Sequence, residues 1–164
     1  RIDDFAFTPE QSISHGITAF VAQNRGAGRK ERIQKGFRRG LMLEACYWVF
    51  ICITITLFRR PLMGLFVTAG NEGIVALGSS YLGMMALFYV FPAFTNGIQG
   101  FFRGMGKMSV TLLGTFVQTS LRVVFVYLLT PGIGLPGVAY ACAIGWSVML
   151  LVEVPYYFWF MKDK

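Results

Sequence analysis

Glu10, Arg122 and Glu153 each stand inside a long apolar segment of this 164-residue sequence. An ionisable side chain in such a place costs at least ~2.5–3.5 kcal/mol on membrane-insertion scales, so each needs a partner, water or a task. Depth sorts them. Glu10 is 13 residues before Gln23 and Arg122 is 14 residues after Met108, which puts both roughly 20 Å from one end of their helices at about 1.5 Å per residue. Glu153 is eight residues before Met161, only roughly 12 Å from that end. Glu10 and Arg122 are therefore expected to pair, directly or through water. A carboxylate so placed lets go of its partner when it takes up a proton, which is the minimum chemistry of proton coupling. A fixed ion pair that locks two helices, or an Arg that satisfies backbone carbonyls, is the structural alternative. Glu44 lies a turn or so into its segment and is expected to reach the interface.

Polar residues recur at helical spacing around these groups. Glu10, Ser14 and Thr18 follow one another at four-residue steps, with Gln11 and His15 on the adjoining stripe. Pro92, Thr95, Asn96 and Gln99 form a second stripe, and Thr111, Thr115, Gln118 and Arg122 a third. Such stripes line a cavity or make interhelical hydrogen bonds, and spacing alone does not separate the two. His15, the single histidine, titrates near neutrality when unperturbed, and otherwise serves as a hydrogen-bonded spacer. Pro9 and Pro92 fall within apolar segments, where each frees a backbone carbonyl and can kink a helix.

The elements that must carry these residues are membrane spans. Of the residues, 55% are hydrophobic and 14% charged, against roughly 25% charged in an average soluble domain. Five candidate spans, at 5–23, 41–58, 80–102, 110–130 and 138–161, give an all-α polytopic membrane bundle. The first is the most polar. Arg59-Arg60-Pro61 is expected to end the second, since Pro disfavours helix in the residue before it. Residues 62–77 contain an apolar piece too short to cross, followed by a turn, and TPGIGLPG at 130–137 reads as a tight turn. The aromatic run Tyr156 to Phe160 suits a membrane interface.

Residues 21–39 hold seven of the chain's 15 Lys and Arg. If the loop at 25–39 is cytoplasmic, alternation puts 11 cations inside and three outside, with the C-terminus inside as well, as the positive-inside rule requires. That distribution accounts for the net charge of +7 without nucleic acid. Cys46, Cys52 and Cys142 lie in apolar segments without ligand spacing and read as core residues. There is no Ser/His/Asp set, metal-ligand cluster or acid cluster, so neither an enzyme nor a cofactor is expected. The start at Arg1 and the five spans read as a piece of a longer protein.

AQNRGAGRKERIQKG at 22–36 resembles the Gln-Asn-x-Gly-Ala-Gly-x-x-x-Arg signature of the multidrug and toxic compound extrusion, or MATE, transporters. GFFRGMGK at 100–107 resembles the family's Gly-x-x-Arg-Gly-x-Gly turn, and LRVVFVYLLTPGIGLPGVAYACAIGW at 121–146 its eleventh helix and the turn into the twelfth. The resemblance implies helices eight to twelve of a twelve-helix, two-lobe transporter, with the N-terminal lobe as the missing partner. It implies export of cationic or amphipathic organic compounds across the cell (plasma) membrane by alternating access, against inward protons or sodium. Sodium-coupled members carry an acid in the tenth helix. Residues 80–102 have none, which favours protons and leaves Glu10 as a compensating acid. A flippase for lipid-linked saccharides with the same lobe plan, or a non-transporting membrane module, is the alternative; polar stripes on several helices argue against a plain anchor.

Overall fold

The computed structural model describes residues 2–65 and 72–162. They form six helices: α1 (Ile2–Gly26), α2 (Lys30–Gly64), α3 (Glu72–Phe88), α4 (Val90–Gly104), α5 (Met108–Ile133) and α6 (Leu135–Lys162). Among the described residues there is no strand, as the apolar periodicity predicts. α2, α5 and α6 are each long and apolar enough to cross a membrane, and α3 with α4 qualifies as one bent span. α1 has the length, at 25 residues, but falls short in composition. Four of the five expected spans therefore qualify on length and composition, and α1 is the most polar helix, packed among them.

Several boundaries differ from the sequence reading. The basic stretch is mostly helix: α2 begins at Lys30, so the connection from α1 is only Ala27, Gly28 and Arg29. Lys, Arg, Glu and Gln are good helix formers, and Ile33 and Phe37, one turn apart, bury against α1 and α4. The other end of α2 runs through Arg59-Arg60-Pro61 to Gly64, held by Met63 packing at Gly78 of α3. Of the turn expected at 68–73, residues 68–71 lie outside the described residues, and Glu72 and Gly73 begin α3. The expected turn at 130–137 shrinks to Gly134, whose φ of 70° links α5 directly to α6.

The span at 80–102 is broken. α3 and α4 meet at Tyr89 with a bend of 42°. Pro92 sits in the first turn of α4 and has no N–H to give the Phe88 carbonyl, so the ladder is interrupted there. Tyr89, fully buried at the bend, packs edge-on to Phe7 of α1 at 5.2 Å.

α4 is the centre of the bundle and touches all five other helices. Its small residues permit this. α1 runs parallel to it, with Gly100 and Gly104 opposite Ser14, Thr18 and Val21. On its far side α1 meets Gly36 and Gly40 of α2, against Phe20 and Ile17. Two Gly-xxx-Gly seams therefore clasp one polar helix, a spacing that brings backbones close in membranes. The aromatic run of α6 is partly core rather than interface: Tyr157 and Phe160 pack on Phe101, and Tyr156 on Phe102. Phe158 and Trp159 remain exposed.

Arg25, Gly28, Lys30, Met105 and Met161 border one cavity of about 190 Å³. The α1–α2 connection, the α4–α5 turn and the end of α6 therefore share one end of the bundle, as the cation distribution requires. Arg25 Nη1 ties two of them together, donating to the Met105 carbonyl at 2.6 Å.

Candidate functional site

The polar residues gather on two faces of α4. On the α1 face, the Ser14 hydroxyl donates to the Asn96 carbonyl and accepts from Arg103 Nη2 at 2.7 Å. The Thr18 hydroxyl lies 3.0 Å from the Gly100 carbonyl and 2.9 Å from that of Ser14. Glu10, one turn above Ser14, is 0% exposed, and neither of its oxygens has a hydrogen-bond partner. The Asn96 side chain stands beside it without the alignment of a full hydrogen bond.

Glu44 belongs to the same place. It is 0% exposed and both its oxygens are also unpartnered. Its Cγ lies 3.7 Å from where a Cβ on Gly97 would stand, and it is within electrostatic range of Glu10. The expectation that Glu44 reaches the interface is overturned, because α2 begins at Lys30 rather than near Leu41. Glu44 is then 14 residues into its helix, and Glu10 is 16 residues from Gly26 where α1 ends. Those counts give roughly 21 and 24 Å, the same level on two antiparallel helices.

On the opposite face of α4, Gln99 Nε2 lies 3.4 Å from Glu153 Oε1 on α6, 3.4 Å from Thr115 Oγ1 on α5 and 3.9 Å from Met149 Sδ. Glu153 is 1% exposed and its Oε2 is unpartnered. Gly114 makes room for it, since a Cβ there would sit 2.9 Å from Oε1.

The expected Glu10–Arg122 pair does not form: the ion pair found among the described residues joins Glu31 and Lys35 on the surface. Helices α1 and α5 are not in contact. Arg122 is exposed instead and borders a cavity of about 580 Å³ with Phe7, Tyr81, Met85, Tyr127 and Trp146. Gln11 and His15 lie on the exposed side of α1, away from the buried stripe. Thr95 is buried, its hydroxyl donating to the Pro92 carbonyl at 3.1 Å. Gln118 is buried against Gly145 of α6. Thr95, Gln99 and Gln118 thus sit between helices, and Asn96 is half-buried.

Sequence reasoning missed Arg103, which directly follows the span at 80–102. It continues the stripe of Asn96 and Gln99 at steps of three and four, and that spacing was the available signal. Its guanidinium turns back along α4 to Ser14, with Nε buried and unpartnered.

The family model MatE matches residues 1–128. The chain belongs to the MATE family. It is 29% identical over 118 residues to the "Probable multidrug resistance protein NorM" of Thermotoga maritima, a match that covers 72% of this chain and 25% of that protein. Among solved structures it superposes with a TM-score of 0.82 on an inward-facing multidrug resistance MATE family transporter of the MOP superfamily, at 23% identity over 90% of this chain and 33% of the other. A MATE structure in the bent conformation gives the same score and identity over 94% and 34%. These superpositions show the fold. The chain spans about a quarter of the curated relative and about a third of these solved MATE chains. The Gln-Asn-x-Gly-Ala-Gly and Gly-x-x-Arg-Gly-x-Gly motifs of this MATE chain are the two turns that meet through Arg25 and Met105.

Proposed function

We propose that this chain is part of the C-terminal lobe of a secondary active antiporter that exports cationic or amphipathic organic compounds in exchange for protons. Glu10 carries the reading. An ionised carboxylate buried without a partner costs several kcal/mol, and a proton removes that cost. The α1–α4 contact that encloses Glu10 is therefore stable with the proton on and weakened with it off, which supplies the alternation a rocking lobe needs. Gln11 and His15 stand on the exposed side of the same helix, placed to meet substrate while Glu10 exchanges its proton behind them.

The partners on this reading are the organic substrate, the lipid bilayer and the N-terminal lobe, with no cofactor and no nucleic acid. The protein is multi-pass in the cell membrane, with residues 25–39 and the C-terminus in the cytoplasm. Protons are preferred to sodium because residues 80–102 contain no carboxylate. Export rather than catalysis is the reading supported by the MATE relatives, which are described as multidrug resistance transporters.

The test is Glu10→Gln in the full-length protein, reconstituted in liposomes under an imposed pH gradient. Export of a fluorescent organic cation is expected to fall by about tenfold or more, equivalent to about 1.4 kcal/mol of lost coupling. A sodium gradient alone is expected to drive none. Undiminished pH-dependent export by the variant would remove Glu10 from the mechanism.

A further inference from the structure

We infer that Glu10 and Glu44 work as one proton site, a pair of carboxyl groups sharing a single exchangeable proton at the junction of α1, α2 and α4. The inference rests on the proton-coupled reading above and adds a second residue that neither the motifs nor the polar stripes assign.

The geometry is unusual in one respect. All four carboxylate oxygens of the two residues are buried and none has a hydrogen-bond partner. Both side chains converge on Asn96 and Gly97, consecutive residues of α4: Asn96 flanks Glu10 and Gly97 leaves the space that Glu44 fills. Their levels match because the α1–α2 connection is three residues long and the helices run antiparallel. Two carboxylates within electrostatic range of each other in apolar surroundings are costly when both are ionised, so their protons are bound and lost as a property of the pair.

Among the described residues no cation forms an ion pair with either acid. On α1 the nearest titratable neighbour is His15, exposed on the adjoining stripe. On α2 the Tyr47 phenol lies within electrostatic range of both acids. On α4 Arg103 is engaged by Ser14, and Glu153 of α6 is bonded to Gln99 on the opposite face. α3 brings Tyr81, half-buried, and Glu72, exposed. The ion pair found among the described residues is Glu31–Lys35, on the surface.

Loading moves one proton from bulk water onto one of the four oxygens. Release returns it to water and leaves two carboxylates facing each other. The unloaded state is the costly one, and it is relieved when α1 moves away from α2 and α4 and admits water. Opening of the seam and departure of the proton are therefore one event.

The experiment compares the full-length parent with Glu10→Gln, Glu44→Gln and the double variant in liposomes, reading acid-driven export, and reads the infrared C=O stretch of a protonated carboxyl in the same samples. The pair predicts that each single variant loses pH-driven export and that the double is no worse than the stronger single, about tenfold above the product of the two effects. It also predicts one exchangeable carboxyl band that either substitution alters. Multiplying effects would make the residues two independent sites and overturn the pair. A pH profile lost in Glu10→Gln but kept in Glu44→Gln overturns the pair and leaves proton coupling through Glu10 standing; a profile kept in both removes the coupling reading as well. Because Gln replaces an unpartnered acid at nearly constant shape, Glu44→Gln is expected to accumulate and to resist heat at least as well as the parent. Failure to accumulate would mean that the Glu44 charge is already compensated, which also overturns the pair.

Discussion

The two faces of α4 hold buried acids in opposite ways. Toward α5 and α6, Glu153 is tethered: Gln99 reaches one of its oxygens, and Gly114 and Met149 shape the space around it. Toward α1 and α2, Glu10 and Glu44 are enclosed by backbones drawn together at glycines, and nothing satisfies their oxygens. A tethered acid is a fixed joint. An acid enclosed by a tight seam is a joint that can open, because the seam keeps water out only while the acid is neutral. On the proposed reading, the difference assigns structure to one face and switching to the other.

The most damaging way to break that distinction is to wedge the seam. A Cβ at Gly100 would stand 2.6 Å from the Ser14 carbonyl oxygen, which belongs to backbone and cannot step aside. Gly100→Val is expected to cost about 3 kcal/mol, the upper range for overpacking, seen as a large fall in the melting temperature of the purified protein. Gly114→Ala is the control on the other face. Its Cβ would meet Glu153 Oε1 at 2.9 Å and Met149 Cε at 3.2 Å, both ends of flexible side chains, so a cost below about 1 kcal/mol is expected. Equal losses would show that the two faces are packed alike.

The tether itself is next in size. Gln99→Leu removes the amide that reaches Glu153, Thr115 and Met149, leaving both oxygens of a buried acid unpartnered. About 1–3 kcal/mol is expected, the desolvation penalty of an orphaned acceptor, measurable by thermal unfolding. The pH dependence of export is expected to survive, because the switching acids lie on the other face. A lost pH profile would move Glu153 into the switch.

Height along a helix was legible in the sequence, and adjacency was not. Counting residues puts Glu10 and Arg122 on one level, but rise per residue says nothing about which helices touch, and α1 packs on α2 and α4 rather than α5. The information lay in the glycines: Gly36 and Gly40, and Gly100 and Gly104, sit four apart and admit α1 on both sides. Glu44 was misplaced for a related reason. A run of cations reads as loop, which starts the count near Leu41 instead of Lys30 and loses most of the depth that buries Glu44. Counting also stopped at Arg103 because it is charged, although the side chain turns inward. The bend was within reach, since Pro92 marks the missing donor, and the recurrence of Asn96, Gln99 and Arg103 marks one polar stripe of α4, whose two edges meet α1 on one side and α5 and α6 on the other.

The finest distinction between the faces concerns single hydroxyls. Ser14 Oγ donates to the Asn96 carbonyl and accepts from Arg103, whose Nε already lacks a partner. Thr115 Oγ1 is one of three acceptors around Gln99, which keeps Glu153 and Met149 without it. Ser14→Ala is expected to cost about 0.6 kcal/mol and no more than about 1.7, the range for interhelical bonds in membranes. Thr115→Ala should be near neutral. The small size is informative because alanine fits the seam, so what is lost is the anchor of an inward-facing guanidinium one turn from Glu10. If Ser14 only fills space, the two substitutions should be indistinguishable by thermal unfolding. A measurable gap confined to Ser14 would mean that the α1 seam depends on its polar contacts as well as on its glycines.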